Sequence, residues 1–261
     1  MKSPKSAIWA FDFDGTLSHL VSDRQSATLD PTCKSLLTDL AGELSQVVAV
    51  ISSRSLDDLK SHIHMDNIVL SGNSGLEWWI PGGHWLGPNQ QAAERLALER
   101  DRLLPALEAI EQIEGVEVED KTWSAAVHFR QVAVENRVLV ARELENLHIR
   151  HGVSLHYGPD VAEVQFLQEV SKELAMKTLV TLFSASRNTR KLVYAGDDQN
   201  DAQAMRWVMD EGGTVFIVGN RISLAGAYVV PDPTALARAI RRRFKSISSK
   251  TDNQNKGVID G

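Results

Sequence analysis

The stretch AIWAFDFDGTLSHL, residues 7–20, decides how the chain is read. Its first five residues form a short, continuously apolar run of the kind that makes a buried strand. The run then ends in two carboxylates one residue apart, Asp12 and Asp14, followed by Gly-Thr-Leu. Burying an unpaired carboxylate costs roughly several kcal/mol. Both acids therefore belong at the open end of the strand, or beside something positive. A loop leaving the strand can aim both of them at one point.

The same grammar recurs outward from this stretch. VVAVI (47–51), IVL (68–70), KLVYAGD (191–197), TVFIVG (214–219) and YVV (228–230) read as strands. DPTCKSLLTDLAGEL (30–44) reads as a helix with Asp30 as N-cap and Pro31 at its first position. SLDDLKSHI (55–63), SKELAMKTLVTLF (171–183), NDAQAMRWV (200–208) and DPTALARAIRRRF (232–244) read as further helices. Strands alternating with helices imply an α/β protein with a parallel, Rossmann-like sheet covered on both faces.

The middle of the chain differs. Residues 90–113 read as a long charged helix kinked or broken at Pro105. VEVED, SAAVHFR, a helix near 133–148, VSLHY and VAEVQF follow. Two strands, a helix and two strands suggest an antiparallel α+β unit inserted into the parallel-sheet domain. The expected division is 1–84 and 168–246 for the core, 85–167 for the insertion, and a polar, disordered tail at 247–261.

Composition narrows the function. The 261 residues are 43% hydrophobic and 24% charged, with a net charge of -6, which argues against a nucleic-acid partner. No segment has the roughly 20 apolar residues of a membrane helix, and the N-terminal run meets aspartates too soon for a secretory signal. One cysteine, Cys33, excludes an internal disulfide and suits a cytoplasmic protein. A monomer or weak dimer is expected.

Four features sit where parallel strands end, the place where open α/β sheets bind ligands. They are Asp12 with Asp14; Ser52 after the second strand; Lys172 in the first turn of its helix; and GDDQND, with Asp197, Asp198 and Asp201. Lysine is disfavoured at a helix N-terminus unless an anion offsets the dipole. Carboxylates crowded into one crevice repel each other, and a hard cation held by oxygen, Mg2+ above all, relieves that. A hydroxyl and an ammonium group beside them suit a phosphoryl group.

DFDGTL, the serine after the second strand, the helix-start lysine and GDDQND resemble, in order and spacing, the four motifs of the haloacid dehalogenase superfamily. The insertion resembles the C2-type cap of its sugar phosphatases. Within the superfamily the chain resembles trehalose-6-phosphate phosphatases over roughly residues 7–240. VAVISSRSLDDL, VEDKTWSAAVHFR, AEVQFLQEVSKELAMKTL and GDDQNDAQAM carry that likeness.

The resemblance implies that Asp12 is the nucleophile and Asp14 the acid and base, with Ser52 and Lys172 on the phosphoryl group. It implies Mg2+ on Asp12, the Asp14 carbonyl and Asp197, supported by Asp198 and Asp201. Ser53, Arg54 and Asn73 join the substrate-binding set. Glu119, Lys121, Arg130 and Glu163 match cap positions that grip sugar hydroxyls. His128 is read as structural.

The chain departs from the family pattern at SSR for S-G-R, GNSG for G-S-H-G and EVQF for E-V-R-P, all where the sugar is expected. The implied reaction is Mg2+-dependent hydrolysis of a phosphosugar through an aspartyl-phosphate, trehalose 6-phosphate first. The alternatives are another phosphosugar, such as a glycosyl-glycerate phosphate or an amino- or cyclitol-sugar phosphate, a phosphomutase, or a silent sugar-phosphate-binding domain.

Overall fold

The computed structural model describes residues 7–21, 23–43, 46–158, 160–167, 170–183 and 191–243. The tail at 247–261 lies outside the described residues. The chain runs β1 (Ala7–Phe11), α1 (Pro31–Ala41), β2 (Gln46–Ile51), α2 (Leu56–His62), β3 (Val69–Gly72), β4 (Glu77–Ile80) and β5 (His84–Leu86). Next come α3 (Gln90–Glu111), β6 (Glu117–Asp120), β7 (Ser124–His128), α4 (Arg137–His151), β8 (Ser154–Gly158) and β9 (Val161–Gln165). It ends with α5 (Lys172–Phe183), β10 (Lys191–Gly196), α6 (Gln199–Asp210), β11 (Thr214–Val218), β12 (Tyr228–Val230) and a helical run, α7, over 233–243.

The larger sheet has the order β12-β11-β10-β1-β2-β3-β4-β5. Neighbouring strands from β12 to β3 are parallel, and β4 and β5 close the edge antiparallel. All five residues of β1 are buried because both faces are covered. Trp9 and Phe11 point to one face, where α1, α2 and α7 supply Leu36, Leu37, Leu40, Leu59, Leu236 and Ile240. Ile8 and Ala10 point to the other, against Ala175, Met176 and Leu179 of α5 and Met205 and Val208 of α6. That period of two, with helices on both sides, is the expected α/β architecture.

The hairpin β4–β5 is absent from the sequence reading. Its strands are too short for alternation to register, and the Gly82–Gly83 turn, φ +96° and +87°, carries no other signal. Trp85 pairs with Trp79 and Leu86 with Trp78, so the larger sheet extends through Leu86 rather than stopping at residue 84. Trp78 is buried in it, while Trp85 is 56% exposed on the edge strand.

The smaller sheet is antiparallel, order β6-β7-β9-β8. Its Ala125, Val127, Ala162 and Val164 face α3 and α4, packing on Leu103, Leu107, Val140 and Leu144. Of the kink or break expected at Pro105, the break does not occur: α3 runs through it. Pro105 lies on the exposed face, as does Asp101, four residues back, whose carbonyl loses its helical donor. Among the described residues no helix is long and apolar enough to cross a membrane. Cys33 is buried, its thiol directed at the carbonyl of Pro233.

Candidate active site

The register of three strands builds the site. β1 lies between β10 and β2, with Phe11 opposite both Ala195 and Val50. The residues that leave these strands, Asp12, Asp197 and Ser52, therefore emerge within one residue step of one another. Asp12 N–H donates to the Ala195 carbonyl at 2.9 Å, which holds the turn against β10.

Lys172, the first residue of α5, reaches into this cluster. Its Nζ donates to Asp12 Oδ1 at 2.6 Å and to Asp201 Oδ1 at 2.8 Å. All three side chains are buried. Two carboxylates thus offset the dipole penalty of a cation at a helix start. Burial works to lower the Lys172 pKa, but Asp12 and Asp201 outweigh it and hold the ammonium well above its ordinary value. Burial raises the Asp12 pKa well above the usual carboxylate range, despite Lys172.

Asp201 is fully committed. Besides Lys172 it accepts from Tyr194 Oη at 2.9 Å and from the N–H groups of Asp197 and Asp198 at 3.1 and 3.3 Å. Asp198 caps α6, accepting from Asn200 N–H at 2.9 Å. Burial and the neighbouring carboxylates push Asp197 up to about 8 and Asp198 up to about 6.

Asp12, Asp197 and Asp201 each offer a carboxylate oxygen, these oxygens lying within 4.8 Å of one another. An all-oxygen donor set burdened by its own repulsion fits a hard divalent cation. Asp12 and Asp197 have oxygens to give; Asp201, with both in use, supports them. Gly15 makes room for this: at φ +82°, a Cβ there would lie 2.2 Å from Asp197 Oδ2.

Asp14 is held differently. Arg54, fully buried, donates from Nε to Asp14 Oδ2 at 2.7 Å and from Nη2 to Oδ1 at 2.8 Å. Burial alone would raise the Asp14 pKa, but this two-pronged pairing outweighs it and holds the carboxyl below its ordinary value. Arg54 is itself fixed by Asp58 at 2.8 Å and by the Arg24 carbonyl at 2.7 Å.

Over these strand ends lies a cavity of about 870 Å³, lined by Asp14, Ser53, Asp197 and Asp198 from below and by Glu119, His128, Arg130 and Glu163 of the smaller sheet. The register of that sheet explains the roof. Glu119 and Glu163 both stand opposite Ala126 on β7, one on each side. A small residue between them leaves the two carboxylates room on the face away from α3 and α4.

A family model described as trehalose-phosphatase matches residues 10–223. The chain belongs to the trehalose-phosphatase family. It is similar to a trehalose-phosphate phosphatase of Mycobacterium marinum, at 26% identity over 94% of this chain. That alignment spans 63% of the length of the relative. In fold it resembles the C-terminal domain of Candida albicans trehalose-6-phosphate phosphatase, with a TM-score of 0.76 at 19% identity over 91% of each chain. It also resembles a Synechocystis sucrose-phosphatase solved with sucrose and phosphate, with a TM-score of 0.61 at 17% identity over 92% of this chain and 98% of that one.

In this trehalose-phosphatase family member the expected site residues separate into two groups. Asp14, Ser53, Glu119, Arg130, Glu163, Asp197 and Asp198 line the cavity, whereas Asp12, Ser52, Arg54, Asn73, Lys121, Lys172 and Asp201 lie behind its surface. Lys121 is buried and donates to both oxygens of Glu163, at 2.7 and 2.8 Å, and to the Ser53 carbonyl at 3.4 Å. It holds a cavity-lining carboxylate and does not itself line the cavity.

Asn73, at φ +48°, donates to Glu77 at 2.8 Å and accepts from Ser124 Oγ at 3.2 Å, tying the larger sheet's loops to β7. Ser52 Oγ accepts from Arg54 N–H at 3.1 Å. Arg130 shares Asp160 with Arg137, at 3.3 and 2.7 Å.

His128, read from sequence as structural, lines the cavity and pairs with Glu119 at 3.1 Å. Burial would raise the Glu119 pKa, but His128, Lys121 and Arg24 lower it to about 2. Two arginines were missed altogether. Arg24 reaches Glu163 at 3.2 Å, and Arg221 reaches Asp197 Oδ2 at 3.2 Å. Neither stands in a periodic or motif position; Arg24 lies in the segment that follows Asp14, and Arg221 lies just past the end of β11, so only their placement after strand ends could have suggested them.

Proposed function

We propose that the protein hydrolyses a phosphosugar monoester, trehalose 6-phosphate to trehalose and inorganic phosphate, with Asp12 as nucleophile. An Asp12 oxygen bonds to phosphorus as the bond from phosphorus to the sugar oxygen breaks. Asp14 gives that leaving oxygen its proton. Water then attacks the aspartyl-phosphate, Asp14 takes the water's proton, and Asp12 is regenerated. The two-pronged hold of Arg54 favours the ionised form that the second half needs; Asp14 takes up a proton against that hold before the first half and regains it from the attacking water. Lys172 neutralises Asp12 and offers the buried positive charge a phosphoryl group needs. Mg2+ bound to Asp12, the Asp14 carbonyl and Asp197 would supply charge neutralisation for the phosphoryl oxygens.

The observation that carries this reading is the emergence of Asp12, Asp197 and Ser52, within one residue step of one another, beneath a cavity roofed by Glu119 and Glu163. Acid and cation below suit phosphoryl transfer. Carboxylates above suit sugar hydroxyls. The smaller sheet with α3 and α4, roughly residues 87–167, acts as a cap whose closure excludes water.

The test is phosphate release across a panel of phosphosugars, with and without Mg2+. The expected result is Mg2+-dependent release, strongest for trehalose 6-phosphate. Preference for another phosphosugar keeps the chemistry and reassigns the substrate, and the absence of release from any ester overturns the proposal.

A further inference from the structure

We propose that Arg24 determines specificity for the leaving group, its guanidinium and the cap carboxylates together reading a vicinal diol of the sugar. This rests on the phosphosugar reading above.

Arg24 opens a short turn, Arg24–Ser26, in the segment that joins β1 to α1. It therefore belongs to the larger sheet's side of the cavity, yet its Nη1 crosses to Glu163 at 3.2 Å and lies 3.9 Å from Glu119. The pairing is not needed to neutralise Glu163, because Lys121 already donates to both oxygens of that carboxylate.

Two further donors on the same guanidinium, Nε and Nη2, are buried without a hydrogen-bond partner among the described residues. Buried donors are left unsatisfied at a cost unless a ligand completes them. Arg24 lines the cavity beside Glu119, Glu163 and Asp14.

The donor inventory selects the ligand. A guanidinium only donates, and ionised glutamates only accept. A hydroxyl does both. Two adjacent hydroxyls can therefore each give a proton to Glu119 or Glu163 and receive one from Arg24. The position is also anchored toward the chemistry. The Arg24 carbonyl accepts from Arg54 Nη2 at 2.7 Å, and Arg54 grips Asp14. The group that reads the sugar is thereby set at a fixed place relative to the acid that protonates its oxygen.

The experiment compares wild type, Arg24→Ala and Arg24→Gln on trehalose 6-phosphate and on 4-nitrophenyl phosphate, which has no diol. For Arg24→Ala the KM for trehalose 6-phosphate should rise about tenfold, equivalent to about 1.4 kcal/mol, with kcat falling less than threefold. The loss in kcat/KM on the aryl ester should be at least fivefold smaller than on the sugar ester. Arg24→Gln keeps donors without charge and should recover part of the KM, and guanidinium ion added to Arg24→Ala should recover part as well. A wild-type KM in Arg24→Ala, or equal losses on both esters, overturns the proposal alone. A wild type that cleaves the aryl ester but no phosphosugar overturns the phosphosugar reading and this proposal with it.

Discussion

Replacing Lys172 by methionine is the sharpest test of the electrostatic design. The Lys172 side chain is 4% exposed and lies between Asp12, 5% exposed, and Asp201, which is fully buried. Methionine keeps the apolar stem and removes the charge, leaving both carboxylates without that cation. Removing one partner of a buried pair costs about 3–5 kcal/mol, a large part of a total stability of about 5–15 kcal/mol. With a denaturant slope of about 3 kcal/mol per molar, the urea midpoint of the metal-free variant should drop by about 1–2 M at pH 7.

The sign with pH follows from Asp12. Its folded pKa is already raised by burial, and Lys172 is the main group lowering it. A carboxyl whose folded pKa lies above its unfolded value contributes stability that is fully present below the unfolded value near 3.8 and lost as pH rises through the folded value. The deficit of Lys172→Met should therefore shrink as pH falls from 7 toward 4, and Mg2+ should recover part of it at pH 7. Urea unfolding followed by tryptophan fluorescence, in EDTA and then in excess Mg2+ without EDTA, reads all of this. A variant with a wild-type midpoint at pH 7, or a deficit equal at pH 7 and pH 4.5, refutes the reasoning.

Asp12→Asn should abolish phosphate release from sugar and aryl esters alike, while Lys172 keeps its bond to Asp201 and the circular dichroism spectrum stays that of the wild type; near-normal turnover would remove Asp12 as the nucleophile. Gly15→Ala should cost about 1–2 kcal/mol for its left-handed φ alone. It should also weaken Mg2+ binding by about 10–100-fold in calorimetry, because the new Cβ displaces Asp197; an unchanged affinity would show that Asp197 does not hold the metal as placed. With Asp197 near 8 and Asp12 raised as well in the metal-free protein, Mg2+ binding at pH 7 should release protons, about one of them from Asp197. Calorimetry in buffers of different ionisation enthalpy measures that number, and zero release would contradict the buried-carboxylate picture.

The parallel sheet was legible because its information is local and periodic. AIWAF, VVAVI and KLVYAGD are continuous apolar runs, and their strand-end acids follow at fixed short distances, so chain order alone placed Asp12, Asp14 and Asp197 at one end of the sheet. Lys172 was legible for a related reason, as a cation where the helix dipole opposes one. The smaller sheet was legible as an antiparallel α+β segment from its order of two strands, a helix and two strands.

What sequence could not decide is which way each polar side chain turns once the two sheets meet. Arg54 and Lys121 share segments with cavity-lining residues, yet both turn inward to hold Asp14 and Glu163. Asn73 becomes a strut between the sheets. Arg24 and Glu163 are separated by 139 positions, and no periodicity links them. Such contacts are set by strand register, by the single alanine between two glutamates and by how one sheet seats on the other. Those are properties of the packed molecule, because an ion pair depends on distance in space and leaves no trace in spacing along the chain.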